Sequence, residues 1–511
     1  MSYHLIDVIQ QLGKQHILVI GDLILDRYIW ADAERISQEA PVILLREDHQ
    51  EARPGGAANV ANMLRGLDVD VSVAGVVGCD ADADVVRQQL LDAGVNIGAL
   101  LTDPDRVTTT KQRFMGRAQH RHPHQILRVD RETRSPLCGE LTEQLISEVR
   151  NRLGEFDTIL VSDYAKGVCH PELITKLISA ATDANVPVIV DPPSTVSWDH
   201  YAGATAVTPN RLESSRATDL TIDCDATAFA AGRILCDRLK LQHAFITLDS
   251  DGIALVTADG QETCFTTRRR QVYDITGAGD MVLATIGAGT AGGAAPSDMA
   301  QLANIAGGLE VEQIGVVTIS RGDMIADLLD GRRSPNEKIC SLDEVARHVA
   351  ARRSLGQRIV LTNGCFDVLH TGHIVCLQQA AAEGDCLVVA INSDSSVRQI
   401  GKAPDRPIFD ERHRATILAA MEGIDYVLTF DELTPHNVIN RLKPDLLVKG
   451  GTYSEEEIVG HEIVTSYGGE VRAMGVVPGI STTELLRRIR GDSAPATIPY
   501  PATPPPQRKA G

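Results

Sequence analysis

The chain has 511 residues, 43% of them apolar and 23% charged, with a formal net charge of −19. That length exceeds one ordinary hydrophobic core and that apolar share excludes disorder as the main state, so two or more folded units are expected. The acidic balance excludes general affinity for nucleic acid or anionic membrane surfaces. No apolar run approaches the roughly 18 residues of a membrane helix, and the start MSYHLIDVIQQLGKQ carries no signal pattern. Ten scattered cysteines without a CxxC read as reduced thiols, which predicts a cytoplasmic protein.

In chain order, ILVIGD (Ile17 to Asp22) is a short apolar run closed by polar residues, which predicts a buried strand. The pattern recurs in DTILVSD, VPVIVD, ATAVTPN and HAFITLD, with helix-length segments such as LTEQLISEVRNRL between them. Strand and helix alternation predicts an α/β fold on a parallel sheet, whose ligands collect beyond the carboxyl ends of the strands. The pattern weakens over residues 331–357, which read as a linker. It resumes with RIVLTNGCFD and continues through CLVVAINSD, IDYVLTF and DLLVKGG, giving a second domain over residues 358–490 after a first over 1–330. Residues 491–511, rich in Pro and Ala, predict a disordered tail.

YDITGAGD (Tyr273 to Asp280) leads the first domain's chemistry. Gly277, Ala278 and Gly279 let backbone N–H groups crowd at a helix start, an anion cradle, with Asp280 beside it as a proton acceptor for phosphoryl transfer. Alone, GAGD fits a Gly-rich turn into a helix equally well. In the second domain, VLHTGH places His370 and His373 three apart at a helix opening, able to donate to phosphate oxygens. Zinc would need a further ligand, and the zincin spacing is absent; capping and solvating the helix start is the other reading. Cys365 reads as a small buried side chain, not a nucleophile.

Over its first 320 residues the chain resembles the ribokinase-like sugar kinases, through GD (Gly21, Asp22), PGGAANVA (Pro54 to Ala61), TPNRLE (Thr208 to Glu213) and DITGAGD. The resemblance implies a three-layer α/β domain with a small lid sheet, for which RISQEAPVILLRED supplies candidate strands, and a dimer paired through that lid. It also implies Gly55, Gly56 and Asn59 for sugar, Asn210 and Glu213 for the nucleotide side, and Asp280 as base. GDLILDRYIWADAERISQEAPV, LRVDRE and SDYAKGV are similar to the kinase half of the bacterial bifunctional heptose-7-phosphate kinases and heptose-1-phosphate adenylyltransferases, implying that Asp22, Asp26, Arg27, Arg128 and Lys166 bind a phosphorylated sugar. Three departures stand out: Asp191-Pro192-Pro193 where the family has DPK, Met281 where a hydroxyl residue is common, and the histidine-rich Gln119 to His124, read as a polar loop.

TNGCFDVLHTGH, VAINSD, DLLVKGG and GISTTELLRRIR resemble the Rossmann-like cytidylyltransferase superfamily of HxGH nucleotidyltransferases. That implies in-line attack on the nucleotide α-phosphorus, with His370, His373 and Lys449 catalytic. Thr362, Asn363, Gly364, Phe366, Arg406, Ser481 and Thr482 then hold the nucleotide, with Lys402 a weaker candidate clamp. Both halves resemble one fused enzyme in the same order. The implied reactions are ATP-dependent phosphorylation of D-glycero-D-manno-heptose 7-phosphate at C1 and adenylyl transfer to heptose 1-phosphate, yielding ADP-heptose for the lipopolysaccharide core. ATP and Mg²⁺ are the implied cofactors, with no protein-built metal centre. The alternatives are another sugar or nucleoside kinase fused to a cytidylyltransferase, and a non-catalytic ligand-sensing scaffold.

Overall fold

A computed structural model of the chain describes residues 2–117, 124–194, 197–268, 270–313, 315, 317–330, 334–401 and 406–475. The polypeptide divides into two units, His4–Met324 and a second built from Ile325 onward. Among the described residues no helix is long and apolar enough to cross a membrane.

The first unit contains β1 (His16–Gly21), β2 (Leu23–Ile36), β3 (Ile43–Gly56), β4 (Asp70–Val77), β5 (Asn96–Thr102), β6 (Thr109–Arg117), β7 (His124–Arg131), β8 (Thr158–Ser162), β9 (Val188–Asp191), β10 (Ala206–Val207), β11 (His243–Thr247), β12 (Ile253–Thr257) and β13 (Glu262–Phe265). Nine of them form one sheet in the order β13-β12-β11-β10-β9-β8-β1-β4-β5. It is parallel except where β12 meets β11 and β13. Strand β1 lies inside, buried from Ile17 to Gly21, because helices cover both faces of a parallel sheet. The carboxyl ends of β1, β8 and β9 deliver Asp22, Asp163 and Asp191 to one edge. The other four strands form the lid sheet, β3-β2-β6-β7.

Among the described residues, the second unit carries a five-stranded parallel sheet of β14 (Ile359–Gly364), β15 (Cys386–Asn392), β16 (Tyr426–Phe430), β17 (Leu446–Gly450) and β18 (Glu470–Met474), ordered β16-β15-β14-β17-β18. The strand order reverses between β14 and β17, the point at which such sheets open a crevice for ligands.

Residues 331–357 are not a plain connector in their described part. The helix Leu342–Ser354 starts with a capping box between Ser341 and Glu344. It buries Val345 and Val349 against Ile359, Leu361 and Tyr426 in the second unit's core. The apolar i, i+4 pair was hidden in sequence by the charges around it. Two buried valines are worth roughly 3–6 kcal/mol, comparable with a small domain's whole stability. A fragment beginning at Ser354 should therefore be insoluble or unfolded, and one beginning at Ser334 soluble and folded. Size-exclusion chromatography and circular dichroism of both check this, and a well-folded Ser354 fragment would refute it.

Candidate active sites

Asp280 lies in the first turn of the helix Ala278–Ala291, which Gly277 opens with φ +102. Its carboxylate is buried and held at both oxygens. Asn59 Nδ2 donates to Oδ2 at 2.6 Å, and the Tyr164 hydroxyl donates to Oδ1 at 3.0 Å. Burial pushes the carboxyl up to about 6, against those two hydrogen bonds and the nearby Lys111 ammonium, so it is ionised at neutral pH yet basic enough to take a proton.

Beside it opens a cavity of about 390 Å³, lined among others by Asp191, Asn210, Glu213, Gly277, Gly279 and Asp280. The first N–H groups of a helix have no intrahelical acceptor, and a Cβ on Gly279 would meet no atom within 4 Å, so backbone is bared to the cavity as a phosphate cradle needs. Asn210 and Glu213 form a reciprocal capping box: Asn210 Oδ1 accepts from the Glu213 N–H at 2.9 Å, and Glu213 Oε2 from the Asn210 N–H at 2.8 Å. Burial and the neighbouring Glu213 and Asp280 hold the Asp191 carboxyl well above the carboxylate range. Such crowding would suit a divalent cation, although no group of three or more His, Cys, Asp or Glu is placed to hold a metal by itself among the described residues.

The Gly55-Gly56 pair is required by close approach. A Cβ on Gly55 would lie 2.4 Å from Asp26 Oδ2, and one on Gly56, at φ +57, 2.4 Å from the Asp22 carbonyl oxygen. Asp26, buried in the lid, is ion-paired with Arg113.

Other residues expected to touch sugar are engaged elsewhere. Asp22 accepts from the backbone N–H groups of Tyr164, Lys166 and Val168 at 3.0, 2.9 and 3.1 Å, so it ties down the loop after β8. Arg27 follows Asp26 on a pleated strand and so points to the opposite face, where it pairs with Asp82. Arg128 is bonded to Asp130 at 2.8 Å, and Lys166 Nζ to Glu132 at 2.5 Å. Sequence reasoning passed over Tyr164, although SDYAKGV was in view, and Lys111, which sits in TTKQRF with no motif around it.

In the second unit His370 is the N-cap of the helix Thr371–Ala382, one turn ahead of His373. Their rings stack, with centroids 3.9 Å apart and planes 22° apart. Burial drives His373 down to about 4, aided by its neighbours His370 and Arg406, and burial also lowers His370. Two neutral imidazoles can stack where two cations would repel. A neutral imidazole still carries one ring N–H that can donate. Phe366, at φ +46, packs its ring 5.2 Å from that of His373. Lys449, ending β17, donates to the Asn363 carbonyl at 3.0 Å across the β14–β17 switch point. Thr362 is fully buried in β14, while Asn363 and Gly364 end that strand half-exposed.

Arg406 is buried and bonded to Asp367 at 2.8 Å, and Asp367 also accepts from the Ile408 N–H at 2.7 Å. Arg406 thus pins the loop beside His373. Arg414, unmarked in sequence and fully buried, donates to the carbonyls of Cys365 and Asn392 and to Asp394. It braces the TNGCFD loop from below. Cys365 is part-exposed instead of buried. Lys402, Ser481, Thr482, residues 119–123 of the histidine-rich stretch and the tail 491–511 lie outside the described residues.

A buried carboxylate at a glycine-opened helix beneath a lid, and paired histidines at a switch point, fit one class: a kinase of the ribokinase fold joined to a nucleotidyltransferase. The profile of pfkB family carbohydrate kinases matches residues 14–321, and that of cytidylyltransferase-like proteins residues 361–488. Bifunctional protein HldE of Geobacter metallireducens is 43% identical over 472 residues, covering 92% of this chain and 95% of that protein. The protein of the same name from Geobacter sulfurreducens is 42% identical over 478 residues, 93% of this chain and 96% of its own. Two solved structures share the fold of the first unit. Arabidopsis thaliana ribokinase complexed with ribose and ATP has a TM-score of 0.50 at 18% identity, over 61% of this chain and 98% of that one. Phosphofructokinase-2 from Escherichia coli in complex with potassium has 0.51 at 19%, with the same coverage. The chain belongs to the HldE family of bifunctional proteins. It is a bifunctional transferase, a kinase and a nucleotidyltransferase in one polypeptide.

Proposed function

We propose that the first unit phosphorylates D-glycero-D-manno-heptose 7-phosphate at C1 with ATP, and that the second transfers an adenylyl group from ATP to heptose 1-phosphate. The product, ADP-heptose, serves lipopolysaccharide core synthesis. The observation that carries this reading is the Asp280 carboxylate, fixed by Asn59 and Tyr164 where the nucleotide cavity meets the lid. Asp280 takes the proton of the attacking hydroxyl, while the N–H groups opening its helix stabilise charge on the transferring phosphoryl. In the second unit the substrate phosphate attacks the α-phosphorus in line, the neutral His370 and His373 donate to its oxygens, and Lys449 offsets charge on the leaving pyrophosphate. Mg²⁺ would be held mainly by the nucleotide phosphates, with Asp191 and Glu213 in the first unit's cavity as candidate carboxylates for it, and would supply charge neutralisation.

A cytoplasmic site and pairing of two copies through the lid complete the proposal. The latter is supported by Ile36, Val42 and Ile43, exposed side by side at the end of the lid's β2–β3 hairpin. Incubation with ATP, Mg²⁺ and a panel of sugar phosphates, read by product mass, tests the substrate, and CTP in place of ATP tests the nucleotide. Exclusive use of CTP would overturn the adenylyl assignment. EDTA should stop both reactions and Mg²⁺ should restore them, because each step moves charge on nucleotide phosphates. Full turnover in metal-free buffer would refute that.

A further inference from the structure

One face of the lid sheet looks into the kinase site, and its charges do not balance. Residues paired across strands share a face. Asp26 is registered with Arg53 on β3 and with Lys111 on β6; Arg113, two residues on, is registered with Arg128 on β7, and Lys111 with Asp130. Glu51 lies two residues from Arg53 on the same face. This is the face turned to the chemistry, because Lys111 Nζ stands 4.8 Å from the centre of the Tyr164 ring, whose hydroxyl donates to Asp280.

Around Lys111 this part of the face sets four cations, Arg53, Lys111, Arg113 and Arg128, against three carboxylates of its own, Asp26, Glu51 and Asp130. Arg113 is paired with Asp26, Arg53 with Glu51 and Arg128 with Asp130. Lys111 is left over, with no carboxylate within ion-pair distance among the described residues. Burial drives its pKa below the ordinary lysine value, with Asp26 opposing the shift. Asp26 and Asp280 act on this half-buried ammonium only from beyond contact, so part of its desolvation cost stands, and an arriving dianion in contact with it would remove that cost.

We propose that Lys111 selects a phosphorylated sugar, binding its phosphate monoester at the lid while Asp280 takes the proton from the hydroxyl at the other end. The inference rests on the kinase reading of the first unit and deepens it. Arg128 and Lys166, the cations that sequence suggested for this phosphate, already have Asp130 and Glu132. A neutral sugar leaves Lys111 bare, so the phosphate is demanded and not merely tolerated.

The test is steady-state kinetics of full-length Lys111→Met and Lys111→Arg with heptose 7-phosphate and with unphosphorylated heptose. Lys111→Met should raise KM for the phosphorylated sugar on the order of 10²-fold, as loss of one partner of a buried charge pair does. At pH 8.5, where the Asp280 carboxyl is ionised with or without the Lys111 ammonium beside it, kcat, KM for ATP and the rate on the unphosphorylated sugar should stay within a few-fold of wild type. Lys111→Arg should recover most of the lost affinity. An unchanged KM overturns the proposal, and so does an equal loss with both sugars, whether through the transferring phosphoryl or through misfolding. If the wild-type chain itself ignores the phosphorylated sugar, the kinase reading has failed and Lys111 falls with it.

Discussion

Asp280→Asn should abolish sugar phosphorylation, by 10³-fold or more on the scale of general-base losses of about 10²–10⁴, while nucleotidyl transfer by the same chain continues at its normal rate. The amide keeps the carboxylate's shape, so substrates should still bind, but it cannot accept the hydroxyl's proton. The same residue sets a pH profile. Because the Asp280 carboxyl is pushed up to about 6, kinase kcat/KM should rise with pH through about 6 and then level, as the base loses its own proton. A folded value above the unfolded one also means that the fold prefers the protonated group. That contribution is fully present below the unfolded pKa and lost as pH rises through about 6, so Asp280→Asn should melt higher than wild type at pH 7. Kinase turnover within a few-fold of wild type would remove Asp280 from the role of base.

His373→Ala should cost on the order of 10²-fold or more in nucleotidyl turnover, the loss seen when one preorganised donor to a developing oxyanion is removed. ATP binding should change far less, because charge on the α-phosphoryl group peaks in the transition state. Burial drives His373 down to about 4, so His373 stays neutral near pH 7, and no titration of it should appear in the rate between about pH 6 and 8. Single-turnover kinetics beside equilibrium ATP binding separate the two effects. A variant that binds ATP poorly yet turns over normally once saturated would make His373 a binding residue only.

Both predictions concern residues legible in the sequence, and for a common reason. In YDITGAGD and VLHTGH the glycines, the helix start and the reactive side chain fall within one short segment, so local backbone geometry already aims the chemistry. The sheets were legible in the same way, since each apolar run closed by Gly, Asp or Asn states its own strand and its ligand-facing end. The capping box of Asn210 and Glu213 likewise needs only three residues of separation.

The sequence by itself therefore determined the two-domain α/β class and the order of the chemistries, and marked the helix starts at Asp280 and at His370 and His373. Tertiary structure alone decided which charges are free to meet a ligand. Arg27, Arg128 and Lys166 looked available until strand pleating and neighbouring carboxylates claimed them. Asp22 became a loop anchor only because the chain returns 142 residues later with Tyr164. Tyr164, Lys111 and Arg414 carry no local mark, and each owes its role to partners brought in by register or by another strand's end. The physical reason is that a charge's availability is a property of its neighbours in space, and in a parallel sheet those neighbours come from distant segments of the chain.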